Sequence, residues 1–63
     1  MKKEDLKVFE DMNIKIILKN NYQYNGYIKK LSDENLLFED KYESIILISY
    51  DDIKLIKENR DVE

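Results

Sequence analysis

The chain has 63 residues, the size of one small domain. It contains neither Cys nor His, which excludes disulfides and any thiolate or imidazole metal site. Its 11 basic and 14 acidic side chains give a net charge of −3, which argues against a general polyanion-binding surface. A domain this short needs a dense core, a staple or a partner, so a compact core and self-association are the remaining supports.

The first segment predicts a short helix over residues 3–12. Leu6, Phe9 and Met12 recur three apart and fall on one stripe. Glu4 and Asp5 suit the positive end of the helix dipole. A helix of about ten residues is not stable alone, so we expect it to lie on one end of a barrel.

Five short strands are expected within residues 13–58, followed by a frayed tail at 59–63. The first strand alternates apolar residues with Lys15 and Lys19, and the Asn20–Asn21 pair predicts a tight hairpin. Gly26 is the only glycine in the chain, and inside a strand it marks a bend, a bulge or a close backbone approach. A five-strand meander bent at a glycine predicts a mainly β fold, a strongly bent SH3-like barrel behind a short helix.

The third and fourth strands, "LLFED" and "SIILIS", are apolar on both faces. A small barrel buries only its inner face, so the outer residues need cover from the N-terminal helix or from a neighbouring subunit. We expect a homo-oligomer in which the fourth strand pairs edge to edge with another copy. The subunit interface is predicted to involve Ile46, Ile48, Leu55 and Ile56.

Adjacent carboxylates stand at the corner between the last two strands. Asp51 and Asp52 point in opposite directions on an extended backbone, so they do not converge as an acid–base pair. A turn is the favoured interpretation, and a ligand contact from Asp51 is the alternative. No Ser has an obvious base partner, and the acidic stretches lack the spacing of a calcium loop. We therefore expect no enzyme activity, no metal, no cofactor and no small-molecule substrate.

Five tyrosines and several lysines allow two interpretations. The tyrosines fit a half-buried strand surface, or they form a platform on which bases stack. Tyr50, in the corner, is the strongest stacking candidate. Lys29 and Lys30 are candidate phosphate contacts, although lysines at such positions more often form a solvated face.

The segment "IKIILKNNYQYNGYIKKLSDENLLFEDKYESIILISYDDIKLI" and the helix before it resemble the Sm-like family of Sm, LSm and Hfq proteins. The resemblance covers about residues 4–58 and lies in the helix, the alternating first strand, Gly26 with Ile28 and Leu31 after it, and the "ISYDDI" corner. It implies that residues 1–63 form a single Sm-like domain. It also implies a ring of six or seven copies that binds single-stranded RNA near its pore.

The RNA-reading positions of that family match only in part. Ser32, Glu34 and Leu36 stand where the family has an Asp, a stacking residue and a base-contacting Asn. At the corner, Ser49, Tyr50 and Asp51 replace the family's Arg-Gly or Tyr-Lys-His. The resemblance therefore implies an altered uridine pocket, with candidate RNA contacts at Asn35, Ser49, Tyr50, Asp51, Lys29 and Lys30.

Two functions follow as expectations. The first is an Sm-like ring that binds or chaperones RNA. The second is an Sm-like module for protein interaction or assembly without RNA binding of its own, similar to the C-terminal domain of the ribosome-maturation factor RimP. In either case a cytoplasmic location without membrane contact is expected, because no segment reads as a membrane span or a signal peptide.

Overall fold

The computed structural model of the chain describes residues 2–59 and is mainly β, with a short helix before a five-strand antiparallel sheet. The order of elements expected from the sequence is confirmed. The elements are α1 (Lys3–Lys7), β1 (Ile14–Leu18), β2 (Gln23–Leu31), β3 (Asn35–Asp40), β4 (Ile45–Ser49), a 3₁₀ turn (Tyr50–Asp52) and β5 (Ile53–Glu58).

The strands lie in the order β4-β3-β2-β1-β5, and every neighbouring pair is antiparallel. The five strands and the helix are as expected. The sheet is not closed, however, so the predicted barrel is not seen. The two edge strands, β4 and β5, are joined only by the 3₁₀ turn. The four residue steps from Ser49 to Ile53 span at most about 14 Å. Four flat strand spacings would need about 19 Å. The sheet must therefore curve.

The core lies on the inner side of this curve. Alternation in the strands turns every second apolar side chain inward, as predicted for β1, where Ile14 and Ile16 are fully buried. The helix adds Leu6 from one end, and the corner adds Tyr50. The buried core residues are Leu6, Ile14, Ile16, Leu36, Phe38, Ile48, Tyr50 and Ile53.

The helix is shorter than the predicted span 3–12, because the pattern of backbone hydrogen bonds changes after Lys7. The amide of Phe9 bonds to the carbonyl of Leu6, and that of Met12 to the carbonyl of Phe9, which are turn bonds between residues three apart. Asp11 then has a positive φ of 65°. Phe9 and Met12 still pack against the core, so the predicted apolar stripe holds without a regular helix.

Two predicted backbone features are confirmed. The hairpin after β1 places Asn21 at a φ of 71°, and the Asn20 side chain accepts a hydrogen bond of 3.0 Å from the Tyr22 amide. Gly26 lies directly opposite Asp40 on β3. A Cβ built on Gly26 would stand 2.0 Å from the carbonyl oxygen of Glu39, so the glycine allows the close approach of two backbones.

The predicted tail begins at a hydrogen-bonded residue. The Asn59 amide donates to the carbonyl of Asn13 at 2.9 Å, which extends the pairing of β5 with β1 by one position. The rest of that tail, residues 60–63, lies outside the described residues. Within residues 2–59, α1 is far too short to cross a bilayer.

Candidate nucleic-acid interface

Tyr50 holds the corner between β4 and β5 against the β2–β3 turn. Tyr50 is only 4% exposed, and its hydroxyl donates a hydrogen bond to the carbonyl of Ser32. Its amide donates to the carbonyl of Glu34 at 3.0 Å. Both bonds fasten the corner to the β2–β3 turn. The face of the Tyr50 ring is therefore occupied by the core and is not presented to a base.

The environment of Tyr50 keeps its phenol neutral. Burial raises the pKa of Tyr50 above its usual value of about 10. The nearby Asp33 carboxylate raises this pKa further. A neutral hydroxyl is the form that donates to the Ser32 carbonyl.

The remaining predicted RNA contacts gather partly at this end of the sheet. Asn35 pairs with Ser49 across β3 and β4, and both adjoin Tyr50. The Ser49 hydroxyl accepts a long bond of 3.4 Å from the Asp51 amide, which supports the turn interpretation of the corner.

The two lysines predicted to contact phosphate lie on β2, near its end. Lys29 stands at a register shift and forms an ion pair of 3.5 Å with Glu39, so its charge is partly offset. Lys30 is exposed opposite Leu37. Neither lysine forms an ion pair or hydrogen bond with the corner residues described above.

This end of the molecule is acidic. Asp33 and Glu34 lie in the β2–β3 turn, and Asp51 and Asp52 are exposed in the corner bonded to it. The Lys3 ammonium lies 3.9 Å from Asp33, but that carboxylate is almost fully exposed, so the pair offsets little of the charge. Four carboxylates around the corner repel a phosphate backbone.

The side chains predicted at the subunit interface mostly face the core. Ile48 is buried, and Ile46 and Ile56 pack against the buried cluster. Their backbones lie on edge strands, but their side chains do not point outward. Leu55 alone lies on the outer side, because its partner Ile17 is adjacent to the inward-facing Ile16.

The exposed apolar side chains of β4 are Ile45 and Leu47, which the interface prediction did not name. Leu47 pairs with Leu37, which alternates with the buried Leu36 and Phe38 and therefore faces outward. The sequence carried this signal. Once Ile48 is placed inside, Leu47 has to be outside.

A groove lies at the other end of the β2–β3 hairpin. The first residues of β2 pair only with β1, because the pairing with β3 begins at Gly26. The β3–β4 hairpin closes the open side, where the Lys41 amide donates to the Asn25 carbonyl at 2.9 Å. The groove has a volume of about 360 Å³ and is lined by Gln23, Tyr24, Asn25, Asp40, Lys41 and Tyr42.

Asp40 fixes the wall of this groove. One of its carboxylate oxygens accepts hydrogen bonds from the amides of Tyr42, at 2.9 Å, and Ser44, at 3.0 Å. Glu43 takes a positive φ of 68° to complete the turn. These bonds fix the backbone of the turn that carries the exposed ring of Tyr42, a placement the sequence did not single out.

Comparison of the chain with models of protein families, with curated proteins and with solved structures finds no match. Within residues 2–59, no group of acidic side chains is arranged to hold a metal ion.

Proposed function

We propose that this chain is an Sm-like module that forms a ring by pairing β4 of one copy with β5 of the next, and that the ring binds single-stranded RNA. One observation carries the proposal: β4 is an edge strand with two exposed apolar side chains, Ile45 and Leu47. An apolar edge of this kind is a template for pairing with another chain.

The shape of the sheet supports an Sm-like barrel. The three-residue turn between strands at opposite edges requires a curved sheet. Gly26 permits a close backbone approach in the longest strand, which is where the resemblance expects its bend. The edge order β4-β3-β2-β1-β5 leaves β4 and β5 as the two strands available to neighbours.

The chemistry of the two edges favours pairing of β4 with β5. Leu47 and Leu55 lie on the same outer side of the sheet, so a continuous sheet across copies would bring apolar residues together and away from water. Pairing of β5 with another β5 would bring Lys54 and Lys57 of both copies together, whereas β4 carries no charge. A head-to-tail contact of this kind generates a ring when its rotation closes.

Assembly is tested by a matched pair of lysine substitutions. Leu47 on β4 and Val8 after α1 are both 64% exposed, so Leu47→Lys and Val8→Lys add the same charge at equal exposure. We expect Leu47→Lys to dissociate the ring toward the 7.7 kDa chain, because a lysine on an edge opposes strand pairing. Native mass spectrometry and sedimentation velocity measure the result, and an assembled Leu47→Lys variant contradicts the proposed interface.

RNA binding is tested separately, with labelled oligo-U and oligo-A across a salt series. Contacts to phosphate predict an affinity that falls as salt rises. If the ring forms but neither oligomer binds at low salt, the RNA part of the proposal is wrong. The chain is then the assembly module without RNA binding of its own.

A further inference from the structure

Aromatic rings from two elements meet at the groove beside β2. Tyr24 lines the groove, and Tyr22 packs edge to face against it, with ring centroids 6.3 Å apart and an interplanar angle of 65°. Tyr42 stands on the opposite wall with its ring in solvent. Tyr22 and Tyr42 are both exposed, so their faces are available to flat ligands without rearrangement of the core.

Two side-chain amides line the same groove as Tyr24 and Tyr42. The Asn59 side chain donates a hydrogen bond of 2.9 Å to Asn25 Oδ1, which orients the Asn25 amide. The N–H groups of the Asn25 side chain remain as donors. Gln23 is exposed next to it and offers both a donor and an acceptor. Base edges present donors and acceptors in the same way, and side-chain amides pair with them.

Three lysines lie in or near the groove. The Lys41 ammonium lies 5.3 Å from the centre of the Tyr42 ring. Lys15 is the cross-strand partner of Asn25, and Lys57 is the partner of Lys15, so the three share one face. Among the described residues, none of these lysines forms an ion pair. Asp40 also lines the groove, but its carboxylate accepts two backbone N–H bonds.

From these contacts we infer that the groove between β2 and the β3–β4 hairpin is a nucleobase-binding site for single-stranded RNA. Tyr22 and Tyr42 stack the bases, Gln23 and Asn25 contact base edges, and Lys41 and Lys15 contact phosphate. The inference rests on the RNA part of the proposed function and places the contact at the end of the sheet remote from the corner. A proline-rich peptide offers mainly carbonyl acceptors, so it uses the amides and lysines less fully.

The test is fluorescence anisotropy of labelled oligo-U and oligo-A with the full chain. We expect Tyr22→Ala and Tyr42→Ala each to weaken binding about tenfold, since a base stacked on an aromatic ring loses that contact. Tyr27→Ala is the matched control, because Tyr27 is an exposed tyrosine of β2 that neither lines the groove nor, unlike Tyr22, packs against a tyrosine that does. Tyr42→Phe keeps the ring and is expected to bind within twofold of the unchanged chain.

The salt series adds a second measurement. The double variant Lys15→Gln, Lys41→Gln is expected to flatten the slope of log affinity against log salt, by about 0.7 per lost phosphate contact. Circular dichroism and native mass confirm that each variant is folded and assembled.

Three results overturn the inference. If RNA binds the unchanged chain and all tyrosine variants equally, the groove is not the site although the proposed function stands. If neither oligomer binds at low salt but a proline-rich peptide does, the groove is a peptide site. Equal loss of binding in Tyr27→Ala and Tyr42→Ala also contradicts a localised groove.

Discussion

The two ends of the β2–β3 hairpin use the same residue type in opposite ways. Tyr50 at the corner is 4% exposed, whereas Tyr42 at the groove is 76% exposed, although each has an acidic residue within two positions along the chain. The corner uses its tyrosine to join β4 and β5 to the β2–β3 turn. The groove uses a carboxylate, Asp40, to build a turn that presents its tyrosine outward.

The difference separates a structural end from the end that we propose binds RNA. At the corner, carboxylates are exposed and the aromatic ring is hidden. At the groove, the aromatic rings of Tyr22 and Tyr42 are exposed, and the Lys41 ammonium lies 5.3 Å from the centre of the Tyr42 ring. A stacking site needs accessible rings, a condition that the groove meets and the corner does not.

The largest expected effect comes from removing the corner tyrosine. Tyr50→Ala empties a core position and deletes the bond to Ser32, and loss of a large buried aromatic costs about 3–5 kcal/mol. Tyr42→Ala, at an exposed position, is expected to change the free energy of unfolding by less than about 0.5 kcal/mol. Urea unfolding followed by circular dichroism measures both. Equal destabilisation would remove the distinction between the two ends.

A smaller effect is expected between the two ends, at the closest approach of β2 to β3. Gly26→Ala forces a methyl group against the Glu39 carbonyl, and overpacking of this kind costs about 1–3 kcal/mol or more. Because Asp40 lies opposite Gly26, the displacement also reaches the groove wall. Gln23→Ala, at an exposed position of the same strand, is the control for stability. A Gly26→Ala variant as stable as the unchanged chain would refute the close approach.

The smallest effect is a dependence of stability on pH that belongs to the corner alone. Burial raises the pKa of Tyr50 in the folded chain, so its contribution is complete below the unfolded pKa of about 10. It is lost as pH rises through the higher folded pKa. We therefore expect the unchanged chain to lose stability relative to Tyr50→Phe above about pH 10. Urea midpoints from pH 7 upward measure this, and a constant difference between the chains would contradict a buried, neutral phenol.

Much of the fold could be predicted from the sequence, because strand alternation and turn residues are local signals. Lys15 between Ile14 and Ile16 identifies β1, and the Asn20–Asn21 pair identifies its hairpin. A close backbone approach was one of the alternatives predicted for Gly26, and it is seen, whereas the predicted closed barrel is not. The helix was overestimated because an apolar residue at every third position also fits the successive turns that carry Phe9 and Met12.

The candidate site was harder to predict from the sequence, because the exposure of a side chain depends on contacts between distant segments. The contact of Tyr50 with Ser32, eighteen positions away, cannot be predicted from the sequence of the corner. The extension of β2 beyond β3, which leaves a groove beside Asn25, has no local sequence signal either. The interface prediction named the inward-facing Ile46 and Ile48 of β4, because a strand apolar on both faces shows its register only once one of its residues is placed in the core.

Mapping of cross-links from an oligonucleotide that contains 4-thiouridine tests most directly whether RNA binds in the groove or at the corner. After irradiation of the assembled chain with this RNA, peptide mass spectrometry identifies the residues that carry the nucleotide. We predict cross-links at Tyr22, Lys41 and Tyr42, in the groove. Cross-links at Ser49, Tyr50 or Asp51, or none in the groove, would contradict the assignment of binding to that end of the sheet.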